Sequence, residues 1–487
     1  MTNYIITTDQ ISTTGNGIVL ANAYDTLFVG RNATLGSTFL SGRGVVMQGV
    51  GQQVRVAGAV VGLLGVELLG PSGEISVFSG GVISSAGTAL ALTGFGVVTN
   101  AGTISGSRGI YAGGSASVTN SGSLSGGSDA IFIIGDGVLD NLGTISGTGT
   151  AVFINGAAAI RNFGSIVGGV ASQAGDDTVI NRGLITGNVA SGAGVDLVDT
   201  DSGRIEGVVF LGAGDDTFIG GAFSDKVRAD QGRDDLSGAS GDDYFIAVNA
   251  DGNDRIDGGA GADTYDARLL TTTLVLNLTI GVARNLDATD SLTGIENAFG
   301  GAGADRMSGN VLNNILTGAG GADLLSGAAG ADRLNGGIGA DTLYGGDGAD
   351  ALHGGEGRDV LLGGTGDDVL WGSYDVDIMS GNSGADRFDF NDFDEFLVVS
   401  GLGHDLITDF TRGQDLIDLS TIDANGTLAG NQAFKFEGTA AVNAYGDLGY
   451  RFAGGYTVIS IGFNTPTAYD VLVLTGNIAL TAADFLL

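Results

Sequence analysis

From residue 300 onward, apolar side chains return at a fixed step of nine: Met307, Leu316, Leu325, Leu334, Leu343, Leu352, Leu361, Leu370, Met379 and Phe388. Between them lie stretches made almost wholly of Gly, Ala and Asp. A segment such as Thr342-Leu343-Tyr344 predicts a short strand, in which only the middle side chain faces inward, so one large apolar residue in nine supplies a thin core. The glycine-rich remainder predicts a tight turn, because glycine enters the positive-φ region without a Cβ penalty. Two such units, one on each face, close a coil. A flexible linker of the same composition would not hold so many apolar residues in strict register.

Positions 1–200 follow a longer rhythm. Asn100-x-Gly102-x-Ile104-x-Gly106 returns from Asn120, Asn141, Asn162 and Asn181, and in a variant form from Asp201, at steps of 20, 21, 21, 19 and 20. Each step is one coil of a parallel β-helix. Apolar residues alternate in pieces such as Ala151-Val152-Phe153-Ile154 and can stack inward, while the asparagines predict a hydrogen-bonded ladder at one corner. Fainter copies at Ser79-x-Gly81-x-Ile83 and Val56-x-Gly58-x-Val60-x-Gly62 extend the pattern upstream, and about ten coils at ~4.8 Å give a length near ~48 Å. The predicted fold is therefore all-β: a right-handed parallel β-helix over 1–210, irregular nine-residue-like units over 211–299 with a strand-rich insert at 269–297, a nonapeptide β-roll over 300–389, and a β-rich C-terminal region over 390–487.

Six of the ten units between Gly300 and Asp389 read close to G-G-x-G-x-D-x-U-x, U being a large apolar residue. Stacked coils set each sixth-position aspartate about 4.8 Å from the next. Two carboxylates at that spacing repel by about 1 kcal/mol in water and about 3 to 4 kcal/mol at an effective dielectric near 20. A hard cation relieves the repulsion, and calcium, which takes six to eight oxygen ligands without a rigid cage, suits loops of carboxylates and glycine carbonyls. Candidate ligands are Asp305, Asp323, Asp332, Asp341, Asp350, Asp359, Asp368, Asp377 and Asp386, with Asp215, Asp242 and Asp263 upstream. Candidate carbonyl donors are Gly336, Gly339, Gly345, Gly348, Gly354, Gly357, Gly363 and Gly366. Several calcium ions are expected. Asn314 replaces one sixth-position aspartate and Ser373-Tyr374-Asp375 interrupts another unit, so incomplete sites are expected at those two loops.

This repeat resembles the RTX (repeats-in-toxin) hemolysin-type calcium-binding family. Gly403-His404-Asp405-Leu406-Ile407-Thr408-Asp409-Phe410 and the residues through Ser420 resemble the segment that follows the roll in serralysin-type proteins, and the first part resembles the parallel β-helix of bacterial surface proteins. Leu480-Thr481-Ala482-Ala483-Asp484-Phe485-Leu486-Leu487 resembles that family's uncleaved type I secretion signal. The resemblance implies export by a type I system to the cell surface or beyond, and folding on meeting calcium outside the cell. The protease module of serralysins is not implied: it needs H-E-x-x-H, and the two histidines here, His353 and His404, stand far apart. His353, at a ninth position, reads as a solvated side chain. The pair Asp176-Asp177, in Gly175-Asp176-Asp177-Thr178, reads as an RTX-like turn, structural or calcium-binding.

Charge and composition sharpen this reading. The net charge is −35, and residues 1–200 hold 11 acids and six bases, which leaves −30 for the remainder. Such acidity disfavours nucleic acid and anionic lipid as partners. The chain has no cysteine, which rules out disulfide chemistry. Its first residues lack the basic and apolar segments of a secretory leader, and no apolar run is long enough for a spanning helix. These features favour a secreted calcium-dependent structural protein, a surface-layer (S-layer) subunit, matrix fibre or adhesin, that binds calcium, copies of itself and cell-surface polysaccharide. The alternative is a polysaccharide lyase or epimerase on a β-helix carrying an RTX module. Carboxylates clustered with a basic partner are scarce over positions 1–200, as are aromatic platforms for sugars, so a non-enzyme is expected.

Overall fold

The computed structural model describes residues 2–12, 16–22, 24–37, 43–391, 404–424, 432–440, 442, 444–462 and 468–487. It divides into two compact units, 1–245 with 251–261 and 246–250 with 262–487. Among the described residues there is no α-helix, and the single helical turn is the 3-10 segment Ala482–Asp484. No helix among them is long and apolar enough to cross a membrane. Both units are parallel β-solenoids.

In the first unit most coils give one strand to one sheet and two to the other, the two running together at Thr144–Ile154 and Ser165–Ser172 and reduced to one from Thr217 on. Phe95–Asn100 is followed by Thr103–Gly106 and Arg108–Ala112, and the next coil repeats this with Ala116–Asn120, Ser123–Gly126 and Ile131–Ile133, all in parallel register. The inward row Val98, Val118, Leu139, Ile160, Val179, Val198, Phe218, Leu236 and Ile256 runs unbroken through the registers. Every member is buried. Burying one such side chain stabilises the fold by roughly 1.5–3 kcal/mol, so each coil contributes a similar increment.

The corner asparagines form the expected ladder. Asn100 Nδ2 donates to Asn120 Oδ1 at 2.8 Å, Asn120 to Asn141 at 2.8 Å, Asn141 to Asn162 at 2.7 Å and Asn162 to Asn181 at 2.8 Å, and all five are fully buried. The last acceptor is Thr200 Oγ1, at 3.4 Å, and not the Asp201 side chain that the spacing suggested. One extra residue at that corner pushes Asp201 outward, where it pairs with Arg182 at 2.9 Å. Replacing Asn141 by Ala removes the shortest acceptor of the Asn120 amide, which keeps only the Gly122 and Thr144 carbonyls, and removes a donor from Asn162. With each buried loss costing about 1–3 kcal/mol, Asn141→Ala is expected to destabilise the first unit by about 3 kcal/mol. The urea midpoint in saturating calcium reads this directly.

In the second unit the nonapeptides alternate between two sheets, so each unit pairs in register with the next but one. One inward row is Met307, Leu325, Leu343, Leu361, Met379 and Ile407, and the other is Ala298, Leu316, Leu334, Leu352, Leu370, Phe388 and Ile417. The insert is larger than one hairpin. Val275–Asn277 pairs antiparallel with Val282–Arg284, which pairs antiparallel with Thr289–Thr293, whose burial alternates with period two. Tyr265 Oη donates to the buried Asp290 at 2.6 Å and anchors the meander.

Beyond the roll, Asp405–Ile407 pairs with Ala468–Thr475, and Asp447–Ala453, Tyr456–Gly462 and Ala468–Thr475 form an antiparallel sheet. The apolar C-terminal segment forms a strand: Phe485 and Leu486 pair with Ile417 and Asp418, and Phe485 is buried. Of the predicted C-terminal region, 392–403, which includes Gly403, 425–431, 441, 443 and 463–467 lie outside the described residues.

Candidate calcium sites

From Gly318 onward each nonapeptide turn has its second and fourth residues in the left-handed region. Gly346 and Gly348 have φ of 118° and 144°, and a Cβ on Gly348 would collide with the carbonyl oxygen of Gly330 in the coil below. Where glycine is missing the turn is still imposed. Ala319, Ala328 and Ser373 take φ of 74°, 82° and 74° at second positions, and Asp375 takes 76° at a fourth. The loop around Ser373-Tyr374-Asp375 therefore keeps the backbone of its neighbours.

The turns bring the sixth-position side chains into two rows. In one, the backbone N–H of Asp305 donates to Asp323 Oδ1 at 2.7 Å, Asp323 to Asp341 at 2.7 Å, Asp341 to Asp359 at 2.8 Å, Asp359 to Asp377 at 2.8 Å and Asp377 to Asp405 at 2.9 Å. In the other, Asn314, Asp332, Asp350, Asp368, Asp386 and Asp415 are joined the same way at 2.7–3.1 Å. Each carboxylate thus spends Oδ1 on the preceding coil. Oδ2 of Asp323, Asp332, Asp341, Asp350, Asp359, Asp368 and Asp377 is buried without a hydrogen-bond partner.

The rungs at the ends differ. Gly301 N–H reaches Asp305 Oδ2 at 2.9 Å, Asn310 N–H reaches Asn314 Oδ1 at 2.8 Å and Thr411 N–H reaches Asp415 Oδ2 at 2.6 Å. Asn314 is neutral and its side chain is satisfied by Asn310 and the Glu296 carbonyl. The interior carboxylates still lack a counter-charge.

First-position glycines shape what stands beside each free oxygen. A Cβ on Gly336 would lie within 3.0 Å of both Asp341 Oδ2 and the Gly354 carbonyl oxygen, and Gly318, Gly327, Gly345, Gly354 and Gly363 repeat the arrangement. Each interior rung therefore offers a carboxylate oxygen and a glycine carbonyl oxygen side by side, a donor set that fits a hard cation such as calcium. Among the described residues no three acidic or histidine side chains converge on one point, so an ion here would draw on one carboxylate per rung and on backbone carbonyls. Burial, with neighbouring carboxylates adding to it, pushes Asp323, Asp359 and Asp368 up to about 7 and Asp377 up to about 8. These groups resist carrying charge without a cation.

A similar row begins in the first unit. Asp177, Asp196, Asp216, Asp234 and Asp254 are joined N–H to Oδ1 at 2.7–2.9 Å, and Asp225 to Asp243 at 2.7 Å. The structure places Asp216 and Asp243, and not Asp215 and Asp242, in the rows. In each Asp-Asp pair a shift of one residue reverses the side chain, so Asp215 and Asp242 are exposed while Asp216 and Asp243 are buried. Asp263 is buried, but its N–H meets Glu296 Oε2 at 2.9 Å, so the insert breaks the succession of aspartates there. Asp196, Asp225 and Asp234 carry no complete motif, because their glycines are partly replaced. The near-even step from Asp177 through Asp196 and Asp216 to Asp234 is the signal in the sequence that marks them.

His353 also departs from expectation. It is half-buried, its Nε2 lies 2.8 Å from Ser373 Oγ, and burial pushes its pKa down. Aromatic residues are less scattered than their spacing suggested. Tyr111, Phe132 and Phe153 stack in register on the outer face, with centroids 5.9 and 4.8 Å apart and the Arg108 guanidinium 4.5 Å above Phe132. The same column continues as Ala171, Ala190 and Phe210. A hollow of about 470 Å³ opens there, lined in part by Thr150, Ala171, Asn188, Ala190 and Phe210.

No curated protein matches the chain. Among solved structures, the extracellular lipase LipA from Serratia marcescens is similar at 16% identity with a TM-score of 0.15, the likeness covering 57% of this chain and 40% of the lipase. The chain thus spans less than half the length of that protein. Residues 210–245 match the RTX calcium-binding nonapeptide repeat (4 copies). Residues 230–487, more than half of the sequence, match Peptidase M10 serralysin C terminal, and the chain belongs to that family.

Proposed function

We propose that this chain is a secreted, calcium-dependent structural protein that folds outside the cell and assembles with copies of itself. The observation that carries the reading is the succession of buried Oδ2 atoms from Asp323 to Asp368, each beside a glycine carbonyl and without a hydrogen-bond partner. Calcium held by Asp305, Asp323, Asp332, Asp341, Asp350, Asp359, Asp368, Asp377 and Asp386, with carbonyls of the first- and fourth-position glycines, would neutralise the rows. Family membership supports export by a type I system, with the strand at Phe485–Leu486 inside the signal. Electron microscopy of the purified protein tests assembly: ordered sheets or filaments are expected in millimolar calcium and none after chelation. Dispersed single particles in both conditions would overturn the assembly.

The aromatic column favours a surface polysaccharide as a further partner. Sugar rings stack on aromatic faces, and the hollow at Ala171 and Ala190 is bounded by Phe210 in the column of Phe153. Its lining holds no acid or base. General acid–base cleavage needs such groups, so the geometry suits holding a saccharide better than cutting one.

A further inference from the structure

We propose that Asp25 and Gln52 hold a calcium ion in the first coils of the chain, at a site separate from the nonapeptide repeats. Thr26 pairs in parallel register with Gln53, and the Gln53 N–H donates to the Asp25 carbonyl at 3.1 Å. Asp25 and Gln52 are therefore neighbours on adjacent rungs. Both are buried, at 0% and 1% exposure. Asp25 Oδ1 accepts from Thr2 N–H at 3.2 Å, whereas Oδ2 has no hydrogen-bond partner.

The Gln52 side chain reaches from its own rung into the turn before Asp25. Its Nε2 donates to the Asn22 carbonyl at 3.2 Å and to the Gln48 carbonyl at 2.8 Å. Those two acceptors fix the amide, and Oε1 is left buried with no partner. Two unpartnered, fully buried oxygens, one of them charged, thus lie on neighbouring rungs. No ion pair involves Asp25 among the described residues. Buried polar groups are almost always satisfied, and an anionic oxygen beside a neutral amide oxygen calls for a hard cation.

The register strengthens the assignment. Through successive pairings the column of Asp25 runs Gln52, Gly73, Gly96, Ala116, Gly137, Ala158 and then Asp177. Asp25 therefore occupies the position that carries the aspartate row of the first unit, separated from it by a run of coils with Gly or Ala there. Locally, Asp25-Thr26-Leu27-Phe28 parallels Asp341-Thr342-Leu343-Tyr344. The flanking turns also use the left-handed region, with Tyr24, Gly49 and Gly51 at φ of 63°, 137° and 65°.

Hydrogen exchange of the full chain, read by mass spectrometry with and without millimolar calcium, tests the site. In the wild type, calcium is expected to slow exchange in the strands Asn3–Ile6 and Gln52–Val56 by about tenfold or more, the linkage expected of an ion bound only by the folded state. Asp25→Asn and Gln52→Leu should each reduce that effect to less than about twofold, lower the calcium count in equilibrium dialysis by one, and leave protection of 315–383 responsive. Gln52→Glu adds a carboxylate and should lower the calcium concentration that protects these strands. No calcium effect there in the wild type, or Asp25→Asn keeping the full count and protection, would overturn the site. A roll that ignores calcium while the first coils respond would strike the reading above and leave this one standing.

Discussion

EGTA at pH 8 is expected to unfold residues 300–389 while leaving the coils from Val82 to Ile154 intact. The interior carboxylates Asp323, Asp332, Asp341, Asp350, Asp359, Asp368 and Asp377 each bury an oxygen with no partner. An orphaned buried acceptor costs about 1–3 kcal/mol and more when charged, and neighbours on a row repel by about 3 kcal/mol at an effective dielectric near 20. Against a domain stability of about 5–15 kcal/mol, the sum cannot be borne without a cation. The C-terminal strands should follow, because Asp405–Ile407 and Leu416–Asp418 pair directly on the last coils of the roll. Coils from Val82 to Ile154 carry Gly or Ala at the aspartate column and should keep their amide protection. Far-UV circular dichroism and calorimetry read the loss. An unchanged thermal midpoint in EGTA would refute the role assigned to the rows.

Much of this was legible in the chain because a solenoid writes its contacts at fixed separations. The leucine step of nine becomes two rows built from alternate units, and the longer step becomes the Asn100 to Asn181 ladder. Legibility fails where the register changes by one. At Asp215 and Asp216 a one-residue slip reverses the assignment: the spacing from Gly214 to Phe218 puts Asp216, and not Asp215, at the sixth position, and the pairing of Phe218 agrees. Thr200 replaces Asp201 as the last rung for the same reason. Columns were harder still when their members share no motif. Tyr111, Phe132 and Phe153 look scattered until consecutive coils bring them together, and Asp25 with Gln52 lies outside the run of nonapeptides.

The calcium-free roll should be stabilised by acid, the reverse of what is expected of the calcium-loaded protein. Burial pushes Asp332 up to about 6, Asp323, Asp359 and Asp368 up to about 7, and Asp377 up to about 8. An unfolded aspartate titrates near 3.9. Because the folded values are raised, the protons they retain favour the fold fully below the unfolded value, and this contribution is lost as pH climbs through 6 to 8. Each carboxylate can supply a slope of up to about 1.4 kcal/mol per pH unit between the unfolded value and its own folded value. Calcium demands the deprotonated form, so its affinity should rise over the same interval and release protons on binding. In protein stripped of calcium by dialysis the roll is therefore expected to be folded at pH 5.5 and unfolded at pH 8, whereas with calcium its thermal midpoint should hold or rise between those values. A stripped protein that grows more stable toward pH 8 would show that the rows are neutralised by something other than protons and calcium.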